Sequence, residues 1–263
     1  MTHPPTLNER ITVSEHGPTT GPLVVLLHGM GVSGWMWEAQ VAALADCYRV
    51  MVPDLPGHGA SHAVAWPGLD GVADIIADLI RARADRAHVV GLSLGSYVAL
   101  RLLARQPEAV TSLAVTGTST RPFDHLWFWR PVARVLAATA SWDLMITSTA
   151  KMLQLPPEAA ALMRQDLKRL PSAVMSAIYD EVFAFHLPDA LKTTTRPLLA
   201  MAGSLEAPAV RDGLAAYRQV PTATLALAPG GHHAWNAELP ELFNATVRAW
   251  LAGDTLPATL EAV

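Results

Sequence analysis

The apolar residues of this chain fall into short unbroken runs separated by stretches in which they recur at helical spacing. Leu23-Val24-Val25-Leu26-Leu27 is apolar at every position, the pattern of a strand covered on both faces. Residues 9–14 (Glu-Arg-Ile-Thr-Val-Ser) alternate instead, which predicts an early strand, and Gly17-Pro18 to Gly21-Pro22 reads as a turn. Further strands are predicted at Tyr48-Arg49-Val50-Met51-Val52, Ala87-His88-Val89-Val90, Val110 to Val115, Arg196 to Gly203 and Ala223 to Leu227. Between them, Trp37, Val41, Leu44 and Ala45 predict a helix over 35–46. Val72, Ile75, Ile76, Leu79 and Ile80 predict another over 70–83. The run from Ser96 to Arg105 predicts a third, stopped by Pro107, and Phe243, Val247, Trp250 and Leu251 place a closing helix over 239–252. The tail after Gly253 reads as frayed. Strands alternating with helices imply an α/β fold, a mostly parallel sheet with helices on both faces.

The texture changes between Arg121 and about Thr195. No convincing strand occurs there; several helical segments do, with Phe123, Trp127, Phe128, Trp129 and Trp142, and with proline breaks at Pro131, Pro156, Pro157, Pro171 and Pro188. This predicts a discontinuous core, residues 1–120 and 196–263, carrying a helical cap over 121–195.

Composition narrows the function classes. With 51% hydrophobic and 16% charged residues in 263, the chain can bury one large core and is no candidate for disorder. A formal net charge of −4 gives no reason to expect nucleic acid as a partner. The single cysteine, Cys47, excludes an internal disulfide framework and fits a reducing compartment. The opening MTHPPTLNER lacks a basic region followed by an apolar one. The most apolar later segment, Val132 to Leu153, is interrupted by Arg134, Asp143 and Lys151. A cytoplasmic protein with no membrane partner is the expectation.

Gly91-Leu92-Ser93-Leu94-Gly95 sits between a predicted strand and a predicted helix. It fits Gly-x-Ser-x-Gly, in which the serine occupies a strained strand-to-helix turn and its neighbours must be small. The hydroxyl then projects above the sheet over a helix N-terminus. An ordinary turn in a chain rich in alanine and glycine is the alternative, so the remaining parts of a catalytic set have to be found elsewhere.

Over nearly its whole length, from Arg10 to about Ala252, the chain resembles the α/β-hydrolase family. The resemblance is carried by His28-Gly29-Met30-Gly31, Asp54-Leu55-Pro56-Gly57-His58-Gly59-Ala60-Ser61, Gly91-Leu92-Ser93-Leu94-Gly95, Gly203-Ser204-Leu205-Glu206 and Gly230-Gly231-His232-His233-Ala234-Trp235, in the family's order. It implies an eight-stranded type of sheet with the cap inserted after the sixth core strand. It also implies Ser93 as nucleophile, a base near the C-terminus and an acid between the two. His233 is preferred to His232 because the acidic residue and the proline that the family carries five and seven places after its histidine then fall at Glu238 and Pro240. Glu206 occupies the family's acid position with an extra methylene; Asp124, and more distantly Asp212, are its rivals. The resemblance places the oxyanion donors at the backbone amides of Met30 and Leu94, and makes His28 structural.

Asp54 to Ser61 reads as a structural turn, and the resemblance places it in the loop beside the site. No His, Cys, Asp and Glu set has ligand spacing, and the glycine-rich turns lack a phosphate-binding arrangement, so neither metal nor cofactor is expected. Trp35, Trp127 and Trp129 are the candidate substrate-binding aromatics. With Trp37, Phe128, Trp142, Met145, Met152 and Met163 they either line an apolar pocket or simply pack. The expected activity is hydrolysis of a small to medium, largely apolar ester, lactone or thioester through an acyl-enzyme. A lyase or a ligand-binding, receptor-like protein on the same scaffold is the alternative. The partner is a small-molecule substrate, and an apolar face on the cap would suit an oligomer.

Overall fold

A computed structural model describes residues 10–263 and places eight strands in one sheet. They are β1 (Val13–His16), β2 (Leu23–Leu27), β3 (Arg49–Pro53), β4 (Ala87–Leu92), β5 (Val110–Thr116), β6 (Leu198–Gly203), β7 (Ala223–Ala228) and β8 (Glu261–Ala262), in the spatial order β1-β3-β2-β4-β5-β6-β7-β8. The six inner strands are parallel, and only the edge strands β1 and β8 run antiparallel to their neighbours. Glu9, the first residue of the predicted early strand, lies outside the described residues; β1 itself begins at Val13.

Alternation along the buried strands divides their side chains between two cores. Val25, Leu27, Val89, Leu113, Val115, Leu198 and Ala200 join the core under helices α2 (Gly68–Arg81) and α3 (Leu94–Arg105). Val24, Leu26, Val90, Ala114, Leu199 and Met201 join the core on the opposite face, with Trp37, Trp235 and Phe243. That second face is covered by α1 (Glu38–Leu44) and the closing helix α8 (Pro240–Ala252). Continuous apolar runs, such as the fully buried Leu23–Leu27, are what two covered faces require.

Four α-helices stand between β5 and β6: α4 (Leu126–Thr139), α5 (Asp143–Met152), α6 (Pro157–Arg169) and α7 (Ser172–Phe183). Counted along the described residues they follow the fifth strand, because β1 is the first strand described and the eighth is added at the far edge by β8. The chain after Gly253 is therefore not frayed to its end: Glu261 and Ala262 pair with Leu227 and Ala226, and Leu256 and Leu260 pack on the core. Pro131 does not break a helix either; it lies inside α4. The carbonyl it deprives of a partner belongs to exposed Trp127, where water can satisfy it. A third apolar cluster, including Val32, Ile146, Met163, Leu167 and Met175, joins α4–α7 to the loop that follows β2.

Candidate active site

Ser93 links β4 to α3 with φ 53° and ψ −118°, a left-handed backbone geometry that costs a non-glycine residue about 1–3 kcal/mol. Its neighbours explain how the turn closes. A Cβ on Gly91 would lie 2.6 Å from the Gly95 carbonyl, and one on Gly95 would lie 2.0 Å from the Leu27 oxygen. Both positions need glycine. The turn is tied to β5 by the Ser93 amide, which donates to the Thr116 carbonyl at 2.9 Å. The buried Ser96 hydroxyl adds a second tie, accepting from the Thr116 amide at 3.0 Å and lying 2.6 Å from the Gly91 carbonyl.

The two adjacent histidines have different partners. His233 donates through Nδ1 to Oε1 of Glu206 in a short contact, and the Glu206 side chain is 2% exposed. With Nδ1 engaged, Nε2 is the nitrogen left to exchange a proton. His232 instead gives both its backbone amide and its Nδ1 hydrogen to Glu238, each at 2.8 Å. The acidic residue five places beyond His233 thus holds the neighbouring histidine away from the Glu206 carboxylate. Loops after β6 and β7 fix this pairing: the Leu205 amide donates to the Gly231 carbonyl at 2.9 Å, and Gly230 donates to the Ser204 hydroxyl at 2.9 Å. Asp124 and Asp212 lie apart from His233, lining a different groove with Trp129.

Gly117, at the end of β5, sits between the serine and the histidine. Its φ is +77°, and a Cβ there would lie 2.9 Å from Cε1 of His233 and 3.4 Å from the Ser93 nitrogen. The sequence pattern of the strand, Val110 to Val115, ends before it. A glycine at that place, on the strand next to the Ser93 turn, was the available signal.

Neither the Met30 nor the Leu94 amide donates to a protein acceptor among the described residues. Leu94 heads α3, where the first-turn amides have no intrahelical partner and the helix dipole favours negative charge. His28, fully buried, accepts the Leu55 amide at Nε2 (2.9 Å) and donates from Nδ1 to the Gly29 carbonyl (2.8 Å). Burial pushes its pKa down to about 4. His58, also buried, has its pKa pushed down to about 3 by burial and then by His28, whose ring centroid is 5.2 Å away. Asp54 closes the same loop, accepting the Gly34 and Ala60 amides at 2.8 Å each. These groups tie the loop after β2 to the loop after β3. Among the described residues no group of three or more His, Cys, Asp and Glu could hold a metal ion, and no helix is long and apolar enough to cross a membrane.

Ser93, His233, Met30, Trp35 and Leu153 line one small cavity of about 60 Å³. Of the three candidate substrate-binding tryptophans, the structure brings only Trp35 to it. Trp127 is 76% exposed, and Trp129 stands edge-on to Phe123 at 5.6 Å in the groove shared with Asp124. The reason lies in α4, whose buried positions are Ala133 and Ala137, one turn apart: Trp127 falls outside that stripe, and Trp129, one turn before Ala133, continues it against Phe123 and Phe183. Trp37 is buried in the core of the opposite face. Sequence reading also missed Asp166 on α6, which accepts from Trp35 Nε1 and from the Ser33 hydroxyl. Its signal was a carboxylate on the same helix stripe as Met163 and Leu167. Burial raises the Asp166 pKa, while the Trp35 and Ser33 hydrogen bonds oppose the rise.

The sequence model of the alpha/beta hydrolase family matches residues 24–246. The pimeloyl-[acyl-carrier protein] methyl ester esterase of Chromobacterium violaceum is 36% identical over 198 residues, 72% of this chain and 73% of that protein. A solved thermophilic esterase from Thermogutta terrifontis, with malate bound, is similar with a TM-score of 0.78 and 25% identity over 92% of this chain and 93% of that one. The enol-lactonase of Burkholderia xenovorans LB400 gives the same TM-score at 24% identity, covering 92% and 96%, a likeness of fold.

Proposed function

Because this chain belongs to the alpha/beta hydrolase family, we propose that it is a serine hydrolase cleaving a small to medium, largely apolar carboxylic ester, lactone or thioester. The observation that carries this reading is the pairing of His233 with buried Glu206, in a cavity that His233 shares with Ser93. A serine hydroxyl is a weak nucleophile until a neutral imidazole accepts its proton, and a carboxylate on the far nitrogen stabilises the imidazolium that results.

The reaction runs in two halves. Ser93 Oγ attacks the carbonyl carbon while its proton passes to Nε2 of His233. The carbonyl oxygen, now negative, is held by the Met30 and Leu94 amides. Collapse of the tetrahedral species breaks the bond to the leaving group, which takes the proton from Nε2 and departs. Water then attacks the acyl-serine, giving its proton to Nε2, and the second collapse returns that proton to Ser93 and releases the acid. Every proton and electron pair is accounted for by these residues and water, so no cofactor has a step. The helices within 121–195 act as a cap over the site, supported by the shared lining of the cavity by Leu153 and Leu155.

The test is turnover of short-chain aryl esters together with labelling by an activated-serine probe. Wild-type protein is expected to hydrolyse the esters and to carry the label on Ser93. Ser93→Ala is expected to lose at least about 10⁴-fold in kcat/KM. Equal rates in the two proteins, or a folded wild type that takes no label, would overturn the reading.

A further inference from the structure

Next to the reacting cavity lies a second and larger chamber, about 450 Å³, between the cap and the loop after β2. Met30 and Leu153 line both spaces, so the two are neighbours across that pair of side chains. The chamber walls hold Met30, Met145, Met152, Met163 and Met175, five of the nine methionines in the chain. Among the described residues no lysine, arginine, histidine, aspartate or glutamate lines it; its polar side chains are Ser148, Thr149 and Tyr179.

We propose that this chamber is the acyl site: it takes the unbranched, uncharged aliphatic chain of the substrate's acyl group, and the chain enters between Met30 and Leu153. The proposal rests on the reading of Ser93 and His233 as the reacting pair. Direction follows from the chemistry. The leaving oxygen must lie at His233 to be protonated, and His233 lines only the small cavity. The carbonyl oxygen points to the Met30 amide, and the Met30 side chain leads into the chamber. A chain attached to that carbonyl carbon, opposite the leaving group, therefore runs towards the methionines.

The chamber's composition sets what it accepts. Apolar walls favour methylene groups, and flexible thioethers repack around chains of different length, giving breadth in place of a single fitted length. A carboxylate on a chain that ends inside the chamber would be stripped of water with no cation to meet it. Two lining residues are at the surface, Met152, which is 67% exposed, and Ser148. The far end is thus open, and longer chains protrude instead of being refused.

The experiment has two arms. In the first, wild-type protein is given aryl esters of acetate, butanoate, hexanoate, octanoate and hexadecanoate. kcat/KM is expected to rise by about fourfold per methylene while the chain is being buried, then to level. The ester whose octanoyl chain ends in a free carboxylate is expected to be at least about tenfold poorer than the plain octanoyl ester. Leu153→Trp, which narrows the entrance, and Ser148→Trp, at an exposed position that tolerates bulk, should each lower the octanoyl-to-acetyl ratio at least about tenfold. In the second arm, calorimetry follows neutral octanamide binding to folded Ser93→Ala protein. Binding is expected there, absent with acetamide, and lost in the double variants that add Leu153→Trp or Ser148→Trp. A flat chain-length profile in an enzyme that Ser93→Ala inactivates would overturn the chamber and leave the hydrolase reading intact. Octanamide binding to a protein that turns over no ester would do the reverse. Failure of Ser93→Ala to bind octanamide overturns the acyl site whatever the ester rates.

Discussion

The indole Nε1 of Trp35 donates to Oδ2 of Asp166 at 2.7 Å, joining two residues 131 positions apart. The Ser33 hydroxyl donates to the same oxygen at 2.8 Å. One turn of α6 therefore grips the loop that carries the Met30 amide. The next residue, Leu167, presses on that loop as well: a Cβ added to Gly31 would lie 2.8 Å from its Cδ2. Helix α6 and the loop after β2 are held as one wall.

Asp166 is accordingly expected to be a positioning residue that acts through Trp35 and Ser33. Asp166→Ala leaves two donors without an acceptor, a loss of about 1–3 kcal/mol in stability. It also frees the loop, and kcat on an aryl acetate should fall by about tenfold with a smaller change in KM. Asp166→Asn keeps one accepting oxygen and should recover part of both. A purely structural role would lower the unfolding midpoint while leaving kcat per folded molecule unchanged, so kinetics and thermal unfolding are measured on the same samples.

The histidine pair allows a direct comparison. His233→Ala should lose at least about 10⁴-fold in kcat/KM, and Glu206→Gln roughly 10³–10⁴-fold, since the amide no longer stabilises the imidazolium. His232→Ala removes a contact to Glu238 and should cost less than about tenfold. Steady-state kinetics on an aryl acetate decide it: an inactive His232→Ala beside an active His233→Ala would reverse the assignment.

Much of this was legible in the sequence, and the rest was not for identifiable reasons. The strands were readable because burial on two faces demands unbroken apolar runs, as in Leu23–Leu27. The Ser93 turn was readable because its sterics demand Gly91 and Gly95. The helices between β5 and β6 were harder, because a helix can bury almost any stripe it carries: α4 buries Ala133 and Ala137 and turns Trp127 outward. Asp166 was hidden by separation along the chain, since nothing near it in sequence names Ser33 or Trp35 as its partner. The short pairing of β8 with β7 escaped notice because two residues carry no periodicity.

Gly117 gives a sterically defined test of how the histidine is placed. Gly117→Ala puts a methyl group 2.9 Å from Cε1 of His233 and demands a left-handed backbone from a residue with a side chain. The backbone effect should cost about 1–2 kcal/mol in stability. The displaced imidazole should cost more in rate than in binding, with kcat down by about 10²-fold. Measuring kcat alongside urea unfolding separates the two; an alanine variant with wild-type kcat would show that His233 does not need this space.

The buried pair His28 and His58 makes stability depend on pH in a defined window. Both are neutral when folded, with pKa values lowered to about 4 and about 3, whereas the unfolded chain takes up a proton near 6.5. Above that value neither state is protonated and the pair contributes no slope. As pH falls below 6.5 the unfolded state binds protons that the folded state refuses, so stability is lost by about 1.4 kcal/mol per pH unit for each histidine, until the folded pKa is reached. His88, lowered by burial, adds in the same direction. Urea unfolding is followed between about pH 6.5 and 5, where free carboxylates are still mostly ionised. Wild-type stability should fall steadily across the window, and His58→Gln should fall about 1.4 kcal/mol per unit less steeply, whatever its stability at neutral pH. Equal slopes in the two proteins would mean that His58 is not held neutral in the fold.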